Sequence, residues 1–185
     1  MKEKNMNTKS IIRSIIEMGV CAVIIYLVFT FVVIPVRIQG GSMENNLHDG
    51  NIAFINAIDS RNGNVDRFDV VVLYSSELNE KIIKRVIGLP GEHIIYKDDK
   101  LYVNGQFVEQ NFFDKKFIEE SKKQNNVSLF TNDFEVTVGN DEIFVLGDNR
   151  LRSTDSRVLG CFSFDDVLGK QGMILYPFSD IQWID

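Results

Sequence analysis

Three segments of the chain carry residue types able to do chemistry. The first is Ile38-Gln39-Gly40-Gly41-Ser42-Met43, where a hydroxyl follows two glycines that let backbone approach a ligand closely. On its own it also reads as a plain turn, since Gly-Gly-Ser is common in turns. The second is Lys81-Ile82-Ile83-Lys84-Arg85-Val86-Ile87-Gly88-Leu89-Pro90-Gly91. In a strand, Ile82, Lys84 and Val86 share one face and Ile83, Arg85 and Ile87 the other, so Lys84 interrupts an apolar face. Desolvation there favours the neutral amine, which is a base; on an edge or a wet face Lys84 is an ordinary cation. The third is Gly147-Asp148-Asn149-Arg150-Leu151-Arg152-Ser153-Thr154-Asp155-Ser156-Arg157, after the apolar run Ile143–Leu146. Such density of polar groups beside a core strand suggests a buried network in which Asp and Arg pair and hydroxyls fill the remaining acceptors. The competing reading is a polar turn with surface ion pairs.

Other reactive types carry less. His93 opens a strand after Gly91-Glu92 and His48 lies in a polar loop, so both are read as structural or exposed. Neither belongs to a metal-ligand pattern and no cysteine pair exists for one, so no metal and no cofactor are expected. Cys161 reads as a small apolar filler. Cys21 and Cys161 lie on either side of the chain's organisation and cannot pair within one chain, so the fold must stand without a disulfide.

The elements that must position these residues are mostly strands. Asn51–Ile58, Asp69–Tyr74, Lys81–Ile87, His93–Lys97, Lys100–Val103 and Glu142–Leu146 are short β-rich runs. Turn signals separate them at Arg61-Asn62-Gly63-Asn64, Leu89-Pro90-Gly91, Lys97-Asp98-Asp99-Lys100, Asn104-Gly105 and Gly139-Asn140-Asp141. Tyr96–Phe107 reads as a hairpin followed by a second tight turn. The charged stretch Asp114–Asn126 reads as a short helix or a mobile loop, within an insertion at about 106–135.

The 185 residues are 44% hydrophobic and 25% charged with 2 Cys, which excludes disorder, collagen and a disulfide scaffold. One domain of roughly 150 residues with an appendage fits that length. The formal charge of −6 divides into +2 over residues 1–35 and −8 over the remaining 150. An acidic body with no large basic cluster beyond pairs such as Lys122-Lys123 argues against nucleic-acid binding.

The appendage contains 17 residues without a charge, Met18 to Ile34. With Ile15 and Ile16 beyond Glu17 the run reaches roughly 26–30 Å as a helix, enough to cross a bilayer core. A cleavable leader would be shorter and end in small residues, whereas this run leads into Pro35-Val36-Arg37-Ile38. A soluble core helix is seldom apolar on every face. Residues 1–14 are therefore expected in the cytoplasm, 15–35 as a membrane anchor and 36–185 outside the cytoplasm. That orientation follows from Lys2, Lys4, Lys9 and Arg13 against Glu3 before the span.

In order behind such a span, Gly-x-Ser-Met, then Lys-Arg-Val-Ile-Gly-Leu-Pro-Gly, then Gly-Asp-Asn-Arg-x-x-Ser-x-Asp-Ser-Arg, the chain resembles the type I signal peptidases of bacteria. The resemblance runs from the span to about Tyr176. It implies an all-β, signal-peptidase-like catalytic domain of antiparallel sheets behind one transmembrane helix, in the plasma membrane. It implies an endopeptidase that removes signal peptides from secretory preproteins, acting as a monomer against the lipid bilayer. Ser42 matches the family's nucleophile, Lys84 its general base and Met43 the residue packed behind the serine. Ser153 matches a serine that helps orient the lysine, while Asp148, Arg150, Asp155 and Arg157 match the supporting network. Asp69 matches the aspartate of a Gly-Asp-x-Val strand, and Gly160, Gly169 and Lys170 match scaffold positions.

A serine hydroxyl becomes a nucleophile when a base takes its proton, and a Ser–Lys pair is a known form of that scheme. Lysine serves only when neutral, so its pKa must fall several units from about 10.4. The Ser42 backbone N–H is the natural oxyanion donor; Gly40 stands where some relatives add a hydroxyl, so a second donor must come from elsewhere. An extended peptide can add as a strand beside Val36–Gly41 and Lys81–Lys84, with Val36, Ile38, Met43, Leu47, Val72, Ile82 and Ile83 as candidate pocket residues against a plain β-core reading.

The chain departs from the family at Glu44-Asn45-Asn46-Leu47, where x-Pro-Thr-Leu is usual, at Leu151 and Arg152, usually Asp-Asn, and at Phe68, usually glycine. The missing proline leaves the turn after the nucleophile less rigid. Two alternatives remain beside the peptidase: an anchored β-domain that binds exported peptides without cutting, and a self-cleaving Ser–Lys regulator of the repressor type, a class that is soluble.

Overall fold

A computed structural model describes residues 8–44, 46–57 and 64–184. Outside the described residues lie Lys2, Lys4, Asn45, Ile58 and the turn residues Arg61, Asn62 and Gly63. The chain opens with α1 (Thr8–Phe31), whose segment Lys9–Phe29 has a mean hydropathy of 2.2 and is long and apolar enough to cross a membrane. Its side chains are exposed along that segment, so no protein core accounts for its apolar surface. Hydrophobic residues from Ile11 to Phe29 face outward on all sides.

The apolar run outlasts the helix. Pro35 cannot sit in a helix interior, because it lacks an N–H and its ring collides with the carbonyl four residues earlier, that of Phe31. Its predecessor is also pushed to extended backbone. The helix accordingly ends at Phe31, and β1 (Val33–Arg37) begins almost at once. The expected anchor end at residue 35 is thus corrected, since residues 33–35 belong to the sheet.

Among the described residues twelve strands follow the helix, in two antiparallel sheets. The larger contains β1, β2 (Ile52–Asn56), β3 (Val70–Ser75), β4 (Glu80–Gly88), β9 (Glu142–Leu146), β10 (Phe162–Ser163), β11 (Val167–Tyr176) and β12 (Gln182–Ile184). Their order is β1-β2-β11-β3-β4-β9-β10, and β12 pairs with the second half of β11 where β3 no longer reaches it. The smaller sheet is β7 (Gln106–Val108), β6 (Lys100–Val103), β5 (His93–Lys97) and β8 (Phe134–Thr137) in that order. Five of the six expected strands lie within one residue of their expected bounds, and the sixth, Asn51–Ile58, whose last residue lies outside the described residues, is described as Ile52–Asn56.

Both faces of the central strands are covered. Val70 and Val72 pack with Ile38, Met43 and Ile174, while Val71 and Leu73 pack with Ile82, Val86 and Val145. A third cluster of Ile87, Ile94, Tyr96, Leu101, Phe144 and Leu146 joins the small sheet to the large one. The charged stretch after β7 forms α2 (Lys115–Asn125), capped by Asp114, whose Oδ1 accepts the Lys116 N–H at 2.8 Å. It buries no residue, and of the two readings of this stretch, short helix or mobile loop, the helix is the one found.

β11 is central yet was not expected. Val-Leu-Gly-Lys-Gln-Gly-Met-Ile-Leu-Tyr shows no clean alternation, because its glycines and a register shift at Lys170/Gly172 interrupt it. A Cβ at Gly172 would lie 2.3 Å from the Phe54 carbonyl oxygen, so close strand packing requires the glycine.

Candidate active site

Ser42 lies in the connection between β1 and β2, bound at both ends. The Ile38 N–H donates to the Asn51 carbonyl at 2.9 Å and the Gly50 N–H to the Ile38 carbonyl at 3.0 Å. Gly40 holds φ +78°, a left-handed conformation that suits glycine, and its N–H donates to Asp49 Oδ1 at 2.8 Å. Past the serine, the Leu47 N–H donates to the Met43 carbonyl at 2.9 Å, and Met43 is 1% exposed beneath the turn. No hydrogen bond from the Ser42 N–H is made among the described residues.

Lys84 comes from the middle of β4, opposite Val71 of β3, and is 3% exposed. Its Nζ lies 3.0 Å from Ser42 Oγ and donates to the Ile83 carbonyl at 3.0 Å. Burial lowers its pKa from 10.5 to about 8, against the opposing pull of the Asp155, Glu80 and Asp148 carboxylates. The strand alternation that placed a lysine on an apolar face is thus realised as a desolvated amine against a serine hydroxyl.

The loop after β9 locks the two together. The Asn149 N–H donates to the Ser42 carbonyl at 2.9 Å. A Cβ at Gly147 would sit 2.5 Å from that carbonyl oxygen and 2.2 Å from Ser153 Oγ, so only glycine lets both approach. Asp155 is fully buried and pairs with Arg157 at 2.8 Å, and it accepts the Gly147 N–H at 3.0 Å. Burial pushes the Asp155 carboxyl up, but the Arg157 guanidinium and the Gly147 N–H outweigh it and hold it below the usual carboxylate range. α3 (Ser156–Leu159) starts on that same carboxylate, which accepts the Arg157 N–H.

The expected Asp–Arg pairing holds for Asp155 and Arg157 but not for Asp148 and Arg150. Asp148 instead accepts two bonds at 2.9 Å from Arg85, which also stacks on Phe112 at 4.3 Å. Arg150 donates to the Gly147 carbonyl, the Tyr96 hydroxyl, Thr131 Oγ1 and Gln110 Oε1, all uncharged. Burial raises the Tyr96 pKa, more than the Arg150 charge lowers it, so the phenol stays neutral. Partner choice here is tertiary: Arg85 reaches Asp148 because β4 lies beside β9. Arg85 was legible as the residue after Lys84 but received no role, and its register with Leu146, two residues before Asp148, exists only in the folded sheet.

Ser153 lies close enough to Asp155 to favour the carboxylate's ionised form. Its buried Oγ nevertheless makes no hydrogen bond among the described residues, so Lys84 is held here by Ser42 and Ile83. Asn46, at the position where the family usually has threonine, donates to Asp148 Oδ2 at 2.7 Å and ties the turn after Ser42 to the network. Farther off, Asp69 pairs with Lys170 at 3.0 Å under the sheet. Phe68, where glycine is usual, holds φ +76°, and its carbonyl accepts from Arg85 at 2.7 Å.

A groove of about 610 Å³ leads up to Ser42 and Lys84. Val36, Ile38, Met43, Ile82 and Ile83 line it, whereas Leu47 and Val72 do not. Val72 is 0% exposed in the core cluster with Ile38, Met43 and Ile174 on one face of the large sheet, and Leu47 faces a second pocket of about 260 Å³ beside Trp183. Alternation alone gives the parity of a side chain, not which apolar face is core and which is groove. Strand edges flank the groove: among the described residues β1 pairs only with β2, and β9 meets β4 only from Arg85 onward. Glu80–Lys84 is therefore paired only on its β3 side among the described residues.

The family described as "Signal peptidase, peptidase S26" matches residues 11–176. "Signal peptidase I U" of Bacillus subtilis (strain 168) is 35% identical over 183 residues, 98% of this chain and 95% of that protein. "Signal peptidase IB" of Staphylococcus aureus (strain MRSA252) is 33% identical over 186 residues, covering 95% and 94%. A crystal structure of a signal peptidase I from Enterococcus faecalis V583 matches 57% of this chain and 95% of its own at 35% identity, with a TM-score of 0.49. The family match and the Bacillus and Staphylococcus relatives define a serine endopeptidase of the signal peptidase class. The chain belongs to the signal peptidase, peptidase S26, family.

Proposed function

We propose that this protein removes signal peptides from secretory preproteins, with Ser42 as nucleophile and neutral Lys84 as general base. The observation that carries this is the 3.0 Å contact between Lys84 Nζ and Ser42 Oγ, made by a lysine that is 3% exposed. Lys84 takes the Ser42 proton as Oγ attacks the scissile carbonyl, returns it to the leaving amine, and then activates the water that hydrolyses the serine ester. The Ser42 N–H stabilises the tetrahedral oxyanion. Asp148, Arg150, Ser153, Asp155 and Arg157 position the loop that holds the nucleophile.

The substrate lies extended between β1 and the first half of β4, where free strand edges offer backbone hydrogen bonds and Val36, Ile38, Met43, Ile82 and Ile83 receive alternate side chains. α1 anchors the protein, since an all-round apolar helix with no protein cover needs lipid. The cations Lys2, Lys4, Lys9 and Arg13 before its uncharged run keep the N-terminus in the cytoplasm, residues 36–185 outside, and the groove of the single chain near the membrane surface.

Cleavage of a preprotein by the purified chain in detergent or lipid tests this, beside Ser42→Ala and Lys84→Ala. Loss of signal-peptide removal in both variants, with folding kept, supports the dyad. Retained cleavage in either overturns it.

A further inference from the structure

Five of the seven described arginines are partnered through their side chains. Arg13, Arg67, Arg85, Arg150 and Arg157 each donate side-chain hydrogen bonds. The two described arginines with no side-chain hydrogen bond or ion pair among the described residues are Arg37 and Arg152, and both line the groove that leads to Ser42. Lys81, also unpaired among the described residues, lies on the facing wall. The acid in the lining is Glu80, and at the rim stand Glu44, its carboxylate against Gly41, and Asp49, whose Oδ1 accepts the Gly40 N–H at 2.8 Å. The lining itself, with Arg37, Lys81 and Arg152 against Glu80, keeps a positive excess without counting Lys84, on a protein of net charge −6.

Arg152 is also fixed relative to the reacting serine. Its N–H donates to the Asn149 carbonyl at 3.0 Å, and the Asn149 N–H donates to the Ser42 carbonyl at 2.9 Å. Arg37 is the last residue of β1, whose free edge faces an incoming strand. A peptide laid between β1 and β4 would pass both guanidiniums, and a carboxylate on it would supply the partner each lacks.

We propose that Arg37 and Arg152 are specificity-determining residues that make the groove favour peptides carrying acidic side chains beside the cleaved bond. This rests on the Ser42–Lys84 reading of the site. Charges at such rims act on selection and encounter more than on raw affinity, and each exposed pair changes kcat/KM by about two- to fivefold.

The test uses the full-length protein in neutral detergent with one cleavable preprotein in Glu, Gln and Lys versions. The change is made singly at each position from four residues before the bond to three after, omitting the first and third before it, where the family resemblance implies small residues. Expected is the order Glu over Gln over Lys at one position or more, weakening as salt rises. Arg37→Gln and Arg152→Gln each flatten the order at a different position, Arg152→Glu reverses it, and Lys97→Glu, on the remote small sheet, keeps it. Equal rates for all three versions at every position, or an order unchanged in both arginine variants, overturns the proposal. So does a rate indifferent to substrate charge that rises with anionic lipid in vesicles, which would give the cations to headgroups. Absence of any cleavage by the unaltered chain would instead overturn the peptidase reading beneath it.

Discussion

Gly147→Ala probes the place where the backbone, Ser42 as the proposed nucleophile and the polar network meet. The new methyl carbon would stand 2.5 Å from the Ser42 carbonyl oxygen, 2.5 Å from Ser153 Cβ and 2.2 Å from Ser153 Oγ. Against ordinary contact these are short by ~1 Å or more, and rotating Ser153 relieves only the last of them. The backbone at Ser42 or at Gly147 must therefore shift by a sizeable fraction of an ångström. Overpacking of this kind costs about 1–3 kcal/mol of stability, within what a folded domain tolerates. Displacing a nucleophile by ~1 Å costs about 100-fold in rate. The expected outcome is a protein that still melts cooperatively, with kcat for preprotein cleavage down by about 100-fold and KM little changed. Thermal melting and steady-state kinetics on the same preparation measure both. A folded Gly147→Ala protein cleaving within threefold of the unaltered rate would refute the packing described around Ser42.

Two further outcomes concern the charges around the dyad. Lys84 has a folded pKa of about 8 against 10.5, so below about pH 8 the fold bears the strain of a buried ammonium, and between about 8 and 10.5 that strain is relieved as the folded state sheds its proton first. Stability relative to Lys84→Met is expected to rise over that window by up to ~3 kcal/mol, measured by urea unfolding at each pH; a constant difference would contradict the burial. Asp155→Asn removes the largest carboxylate influence that raises the Lys84 pKa, so the pH at which activity appears is expected to move down while kcat falls. A pH–rate profile of the variant checks the sign, and a shift upward would refute it.

What the sequence made legible follows from periodicity and from local chemistry. The helix, the β-runs and the Lys84 face are each readable within a few residues of one another, because a strand's alternation and an apolar run are local. Even the end of α1 was readable in principle, since Pro35 forbids the helix that the hydropathy of Val33 and Ile34 invites. What escaped is set by neighbours far along the chain. β11 obeys no alternation because it packs glycines against β2, and Leu47 and Val72 went to the core because the fold, not the parity, decides which face meets the groove. Asp148 takes Arg85 and leaves Arg150 to uncharged partners for the same reason. At the departures from the family pattern, Asn46 bonds to Asp148, a contact no spacing rule announces.

The most direct test of the account is the pH dependence of kcat/KM for preprotein cleavage between pH 6 and 10, which reports the ionisation of the free enzyme. With Lys84 as a buried base, activity should rise through an apparent pKa of about 8, and Lys84→Ala should abolish it at every pH. A rise centred near the ordinary lysine value of about 10.4, or undiminished cleavage by Lys84→Ala, would contradict the claim that a neutral Lys84 activates Ser42.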